Sequence, residues 1–346
     1  MGEGYKRDCF GHVTMKIAEF DFALPKELIA QEPAKPRDNA RLLVIWKNNS
    51  RIEHRRFYEI VDYFESGDVI VMNDTKVVPV KIDAVKETGG RVRIILLKKI
   101  DEEHWEALAS GKLNGKEFTV YAGDYALRIY KEGKRWVCTS PLLDEIIKKH
   151  GRIPLPPYIK KELEREEDYQ TVYAKTNGSV AAPTAGLHFT EKLLENLRGK
   201  GVRLLFLTLH VGYGTFHIPE CENVEEHCME EEWFSIPEET ASAINYAVKN
   251  RNRVCCVGTT TMRALESASK DGVVYPCEGL AKIFIYPNYK FQSPVNAFIT
   301  NFHLPKSTPL FLTSAIVGKE RLLEIYRIAI EQRYRFFSFG DAMLVL

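Results

Sequence analysis

The chain has 346 residues, 45% hydrophobic and 27% charged, with a formal net charge of +1. That length exceeds what one hydrophobic core usually fills, so two domains are expected, and the composition excludes a disordered or fibrous protein. No apolar run reaches the ~18 residues of a helical bilayer span, so no membrane association is expected, and the net charge alone does not advertise nucleic-acid binding.

Residues 1–14 contain no apolar core of a secretory signal and read as an extension, with Met15 a second possible start. The seven cysteines, Cys9, Cys138, Cys221, Cys228, Cys255, Cys256 and Cys277, include no C-x-x-C pair. An odd set without ligand spacing reads as free thiols in a reducing cytoplasm, with no metal site. From Met15 to residue 77 the pattern is mixed. "LPKELIAQEP" reads as a short helix closed by proline, and "ARLLVIWK" and "GDVIVMNDT" as strands. The second is apolar enough to be buried on both faces and ends in Asn73, Asp74 and Thr75. The C-terminal end of such a strand is where open α/β sheets place ligands.

Residues 78–152 change texture to short alternating strands separated by glycine-rich turns, the pattern of a small antiparallel barrel or sandwich. "LLDEIIKKH" then reads as a helix stopped by Gly151. Later, "EKLLENLRGKG", "PEETASAINYAVKN", "MRALESASK" and "TPLFLTSAIVGKERLLEIYRIAIEQR" read as helices. They alternate with the strands "VRLLFLTLHVG", "RVCCVGTTT", "LAKIFIYP" and "AFITNF". This rhythm predicts a three-layer α/β/α domain over 15–77 and 153–346, built on a mostly parallel sheet, with 78–152 inserted in it.

Basic residues cluster at Lys35, Arg37 and Arg41, at Arg51, His54, Arg55 and Arg56, and at Arg91, Arg93, Lys98 and Lys99. Residues 78–165 hold 18 Lys and Arg against 13 Asp and Glu. Each cluster alone is a solvated face, yet together they leave room for a polyanionic partner. The candidate chemistry lies in loops. "SVAAPTAGLHFT" bends a run of small side chains at Pro183 and Gly186 and ends by presenting His188. His210 closes a buried strand before Gly212 and Gly214, where a ligand can approach the backbone, and His303 sits between an asparagine and a proline. "VGTTTMRALESA" sets Thr259, Thr260 and Thr261 at a helix N-terminus, where free amides stabilise an anion. Asp341 follows a glycine near the C-terminus. Three loop histidines with Phe189, Tyr213, Phe216 and Phe302 beside them point to one shared cleft with a wall for flat rings.

Taken together, "FDFALPKELIAQEPAKPRDNARLLV", "GDVIVMNDTKVVP", "YQTVYAKTNGSVAAPTAGLHFT", "LTLHVGYGTF", "VGTTTMRALES", "ITNFHLPKST" and "YRFFSFGDAML" resemble the S-adenosylmethionine:tRNA ribosyltransferase-isomerases of queuosine biosynthesis. The resemblance runs in order from about Met15 to Leu346 and implies an α/β/α domain with an inserted β-barrel. It implies transfer and isomerisation of the ribosyl part of S-adenosylmethionine onto 7-aminomethyl-7-deazaguanine at the tRNA wobble position, giving epoxyqueuosine, adenine and methionine. No cofactor is then needed, because the sulfonium is a consumed co-substrate. The chain departs from the family pattern at Tyr213, where a small residue is usual, and at Glu230, where a second histidine is common.

The amine nucleophile and the acidic 5′ carbon together call for at least one base, for which His188 is the first candidate and His210 and His303 the next. As a base, His188 is expected to govern the rate through an apparent pKa near ~6.5. The expected substrate contacts are Asn73, Asp74, Thr75, Thr184, Gly212, Gly214, Thr259, Thr260, Thr261, Arg263, Glu266 and Asp341. Among them the "GTTTMR" turn is expected to take the methionine carboxylate with help from Arg263. Expected tRNA contacts are Arg37, Arg41, Arg91, Arg93 and Lys98, and a monomer is expected. Two other classes compete. A methyltransferase on a doubly wound sheet lacks its usual glycine-rich loop here, and a non-catalytic RNA-binding module would leave the loop histidines without use.

Overall fold

The computed structural model describes residues 14–216 and 218–346, without the Phe216 side chain. Cys9 and the 1–13 part of the extension lie outside the described residues. The strand Val69–Asn73, VIVMN, is buried along its whole length, as its unbroken apolar run demands. Val69 and Val71 enter one core while Ile70 and Met72 enter another, so the strand is covered on both faces.

It stands fourth in a nine-stranded sheet. The order is Cys277–Ala281, Glu232–Ile236, Arg203–Leu209, Val69–Asn73, Val254–Val257, Ala297–Asn301, Ala342–Val345, Arg41–Ile45 and Ile52–Arg56. The four strands from Arg203–Leu209 to Ala297–Asn301 run parallel. Outside them the sheet is mixed, which corrects the expectation of a mostly parallel one. Two antiparallel strands extend one side, and on the other Ala342–Val345 reverses direction. Arg41–Ile45 pairs parallel to Ala342–Val345 and antiparallel to its own hairpin partner Ile52–Arg56. A short hairpin connection can only give an antiparallel neighbour, which periodicity within one strand does not reveal.

The helices are α1 Leu143–His150, α2 Glu191–Gly199, α3 Glu238–Lys249, α4 Thr259–Ser267, α5 Thr308–Val317 and α6 Lys319–Glu331. Apolar side chains of α3 to α6 fill the core on one face of the sheet. Leu193, Leu194 and Leu197 of α2 join Phe57 and Ile60, from the 3-10 turn Phe57–Tyr63, on the other. Gly318, at φ +92°, divides what reads as one long helix into α5 and α6. Two local expectations are corrected. "LPKELIAQEP" forms only the 3-10 turn Lys26–Leu28, and the strand near "LAKIFIYP" is Cys277–Ala281, which begins three residues earlier and ends at Ala281.

Lys81–Lys86, Arg91–Lys99, His104–Gly111, Arg135–Thr139, Tyr125–Glu132 and Glu117–Ala122 pair in that order, and Val85 against Tyr121 closes the ring. The outcome is a six-stranded barrel, not a sandwich, and closure removes its edges. Inward residues such as Ile82, Ile94, Val120, Leu127 and Ile129 fill it, with Leu143 and Ile146 of α1 packed against them.

Candidate active site

The parallel strands bring Asn73, Leu209, Gly258 and Asn301 to one end of the large sheet, where a cleft of about 670 Å³ opens. One wall is Ala181, Ala182, Pro183, Thr184 and Ala185, small side chains that let a ligand lie against the backbone. Thr300, Asn301, Phe302 and His303 also line the cleft, with Tyr158, Phe337 and Ser338. A second lobe of about 350 Å³ adjoins it, lined by Met229, Arg263, Ile283, Phe284, Ile285 and Leu312. Thr215, Thr259, Thr260 and Pro309 belong to both lobes, so the first turns of α4 and α5 stand at the partition. Free amides at the α4 N-terminus favour an anion there, whereas in the first turn of α5 Pro309 has no N–H and the Leu310 and Phe311 amides donate to Ser307 O.

The three imidazoles do not share this cleft, which corrects the sequence expectation. Only His303 lines it, with Nε2 2.8 Å from Thr300 Oγ1, and desolvation holds its pKa well below that of a free imidazole. His188 is buried behind the wall, against Phe57, with Nε2 3.1 Å from Asn301 Oδ1. The Asn301 amide nitrogen donates to Phe337 O and Ser338 O at 2.8 and 3.1 Å, so its oxygen faces His188 and Nε2 carries the proton. Burial lowers the His188 pKa to about 4, which corrects the expectation of an ordinary imidazole titrating near 6.5. His210 stands apart, with Nδ1 2.8 Å from Thr75 Oγ1 and its ring stacked on Trp233. Burial lowers its pKa as well.

Other expected contacts divide in the same way. Thr184, Thr259 and Thr260 line the cleft. Thr261 instead donates to Val257 O at 2.6 Å, an i−4 bond inside the sheet layer, so the run of three hydroxyls presents only two. Asn73 bonds both backbone groups of Leu209 and Thr75 N, with Thr260 Oγ1 at 3.4 Å, which pins neighbouring strand ends behind the cleft. Asp74 accepts from Thr208 Oγ1 at 2.6 Å and faces a separate cavity beside Tyr173 and Lys175. The Gly212 amide donates to Glu232 Oε1 at 2.9 Å, and Gly214 lies so close to the Glu230 carboxylate that a Cβ would collide with it.

Arg263 reaches the second lobe, but its guanidinium is committed to a buried ion pair with Glu232 and to Ala281 O at 2.9 Å. Burial raises the Glu232 pKa, and the paired guanidinium opposes that rise. The expectation of a free arginine for a substrate carboxylate is corrected: its charge is already matched. Glu266 accepts from Gln292 N and Ser293 N, both at 2.8 Å, and Asp341 holds Arg41 N and Arg335 N at 3.0 and 2.8 Å. Both carboxylates tie loops together away from the cleft lining.

Of the basic residues, Arg37 is spent on Gln170 O and Glu167 O, and Arg41 on Gln332 O and the face of Tyr334. Arg91 and Lys98 are exposed on one barrel strand, and Arg93 pairs with Asp83 at 3.2 Å. Sequence reasoning missed Tyr158, Thr215, Asn301, Ser307 and Ser338 as cleft residues and Glu232 as the partner of Arg263. "FFSFGD" and "TNFH" carried part of the signal, since both put small polar residues in loops between aromatic ones.

The sequence from 17 to 345 matches a family described as "Queuosine biosynthesis protein". Two similar proteins are named S-adenosylmethionine:tRNA ribosyltransferase-isomerase. That of Acetivibrio thermocellus is 48% identical over 341 residues, and that of Thermotoga maritima 47% over 337. Each comparison spans 96% of this chain and 100% of the relative. The crystal structure of S-adenosylmethionine tRNA ribosyltransferase from Thermotoga maritima aligns with a TM-score of 0.55 at 36% identity, covering 95% of this chain and 100% of that one.

Proposed function

The chain belongs to the queuosine biosynthesis family of S-adenosylmethionine:tRNA ribosyltransferase-isomerases and is an enzyme, and from that premise we propose its substrates and products. The enzyme transfers the ribosyl part of S-adenosylmethionine to the aminomethyl nitrogen of 7-aminomethyl-7-deazaguanine at the tRNA wobble position. Isomerisation gives epoxyqueuosine, with adenine and methionine released. The two-lobed cleft, partitioned by the N-termini of α4 and α5, carries this reading. A nucleoside with a charged amino-acid tail needs room for a ring system and an anion site between the two parts.

The sulfonium acidifies the adjacent 5′ carbon, so a neutral base beside it suffices. His303, on the cleft wall and kept neutral by desolvation, takes that role, and Thr259 and Thr260 with the α4 amides take the methionine carboxylate. His188 positions Asn301 from behind. The large sheet with its two helical faces is the three-layer catalytic domain, and residues 78–152 are the inserted barrel, whose exposed Arg91, Lys98 and Lys99, the last paired with Glu102 at 3.0 Å, hold anticodon-stem phosphates. The sulfonium supplies the activation, so a chelator leaves the rate unchanged.

Incubation with labelled S-adenosylmethionine and precursor-bearing tRNA tests the reading. Release of adenine supports it. A methylated product would make the protein a methyltransferase, and binding without turnover an RNA-binding module.

A further inference from the structure

Five buried side-chain polar atoms lack a hydrogen-bond partner among the described residues, and three of them, Tyr169 Oη, Thr171 Oγ1 and Tyr173 Oη, fall in one five-residue stretch. That stretch packs beneath the cleft wall. Thr171 and Tyr173 press on Gly186, and Tyr169 packs with Ala182, Leu187 and Phe339. Native proteins satisfy nearly all buried hydroxyls, so a cluster of exceptions under a ligand cleft asks for an explanation. An unmade hydrogen bond leaves the full cost of desolvation uncompensated.

Tyr169 is fully buried, and its phenol faces the Ser338 hydroxyl and the backbone of Ala182 without reaching hydrogen-bond geometry. Ser338 Oγ also lies 2.7 Å from Tyr158 Oη. Tyr158, Ala182 and Ser338 line the cleft, next to Asn301, which holds the Ser338 carbonyl. The serine hydroxyl therefore sits between two phenols at the cleft wall. Either hydroxyl of the Tyr158–Ser338 pair can be the donor, and with Tyr158 donating, the Ser338 O–H is left to point at a ligand. Burial raises the pKa of both phenols, so the set stays neutral. Neutral hydroxyls in a desolvated wall suit a ligand hydroxyl better than an ion.

We infer that Ser338, held by Tyr158 and faced by Tyr169, is the subsite for a ribose hydroxyl of the adenosyl group, and that Tyr169 is a positioning residue acting through Ser338. This rests on the proposed use of S-adenosylmethionine. Binding of S-adenosylmethionine and of its 2′-deoxy and 3′-deoxy analogues to the whole protein without tRNA, measured by calorimetry, tests it independently of turnover. The wild type should prefer the parent over at least one analogue by about 3- to 10-fold, the worth of one neutral hydrogen bond. Ser338→Ala and Tyr169→Phe should lose that preference, binding parent and analogue alike. Because the Tyr169 phenol has no hydrogen-bond partner among the described residues, Tyr169→Phe should melt no lower than the wild type. A Tyr169→Phe protein that keeps the full preference for the hydroxyl would overturn the inference, as would a wild type without any preference. If the preference holds while precursor tRNA elicits no adenine release, the subsite stands and the proposed reaction fails.

Discussion

His188 is held by one bond that its Nε2–H donates to Asn301 Oδ1, in a site where water cannot help to carry a charge. Changing it to glutamine keeps a donor of similar reach. On a positioning role, His188→Gln should therefore retain at least about a tenth of the wild-type turnover, whereas loss of a general base typically costs 10²–10⁴-fold. Single-turnover rates decide between them, and for His303→Gln the larger loss is expected. Arg263 teaches a related lesson. The sequence puts a guanidinium one turn into a threonine-rich helix start, which reads as a substrate clamp. Folding brings Glu232 from a distant strand against it, and no local pattern announces such a partner. Arg263→Ala should then destabilise the protein by about 3–5 kcal/mol, because it strands a buried carboxylate. Urea denaturation measures this, and loss of affinity alone, with stability intact, would mean that the ion pair is dispensable.

The first turn of α4 depends on Gly258, whose φ of +88° and ψ of 155° suit only glycine. An added Cβ would meet nothing closer than Ala185 Cβ at 3.6 Å, so the cost of Gly258→Ala is backbone strain, on the order of 1–3 kcal/mol. The turn that presents Thr259 and Thr260 should tilt, raising the KM for S-adenosylmethionine while leaving tRNA affinity unchanged. A fall in tRNA affinity instead would make the anion a phosphate. On the barrel, Arg91, Lys98 and Lys99 lie along one strand. Reversing their charges should weaken tRNA binding and flatten its salt dependence by roughly 0.7–0.9 of a log unit per lost phosphate contact. Fluorescence titration at several salt concentrations reads this, and an unchanged slope would remove that face from the interface. The elements themselves were largely legible, since strand alternation and helix periodicity are local properties. Sheet direction was not, because it depends on which distant strand lies alongside.

For the molecule as a whole, burial lowers the pKa of His54, His188, His210, His227 and His303 alike. The unfolded chain therefore binds protons that the folded chain refuses. Stability is full above about pH 6.5, the ordinary imidazole pKa, and declines as pH falls toward the folded value of about 4 for His188. One such group contributes a slope of up to about 1.4 kcal/mol per pH unit. Urea midpoints between pH 4 and 7 should show the decline, and a stability that rises on acidification would contradict it. The cleft itself was only partly legible in the sequence. Its small-residue wall and the α4 turn are continuous stretches, whereas Tyr158, Asn301 and Ser338 meet only through the fold. The most direct measurement is mass spectrometry of nucleosides from precursor-bearing tRNA after reaction with S-adenosylmethionine, with adenine counted in the same sample. Ribosyl transfer predicts conversion of 7-aminomethyl-7-deazaguanosine to epoxyqueuosine with one adenine released for each nucleoside converted. An unmodified wobble nucleoside, or one carrying only a methyl group, would contradict it.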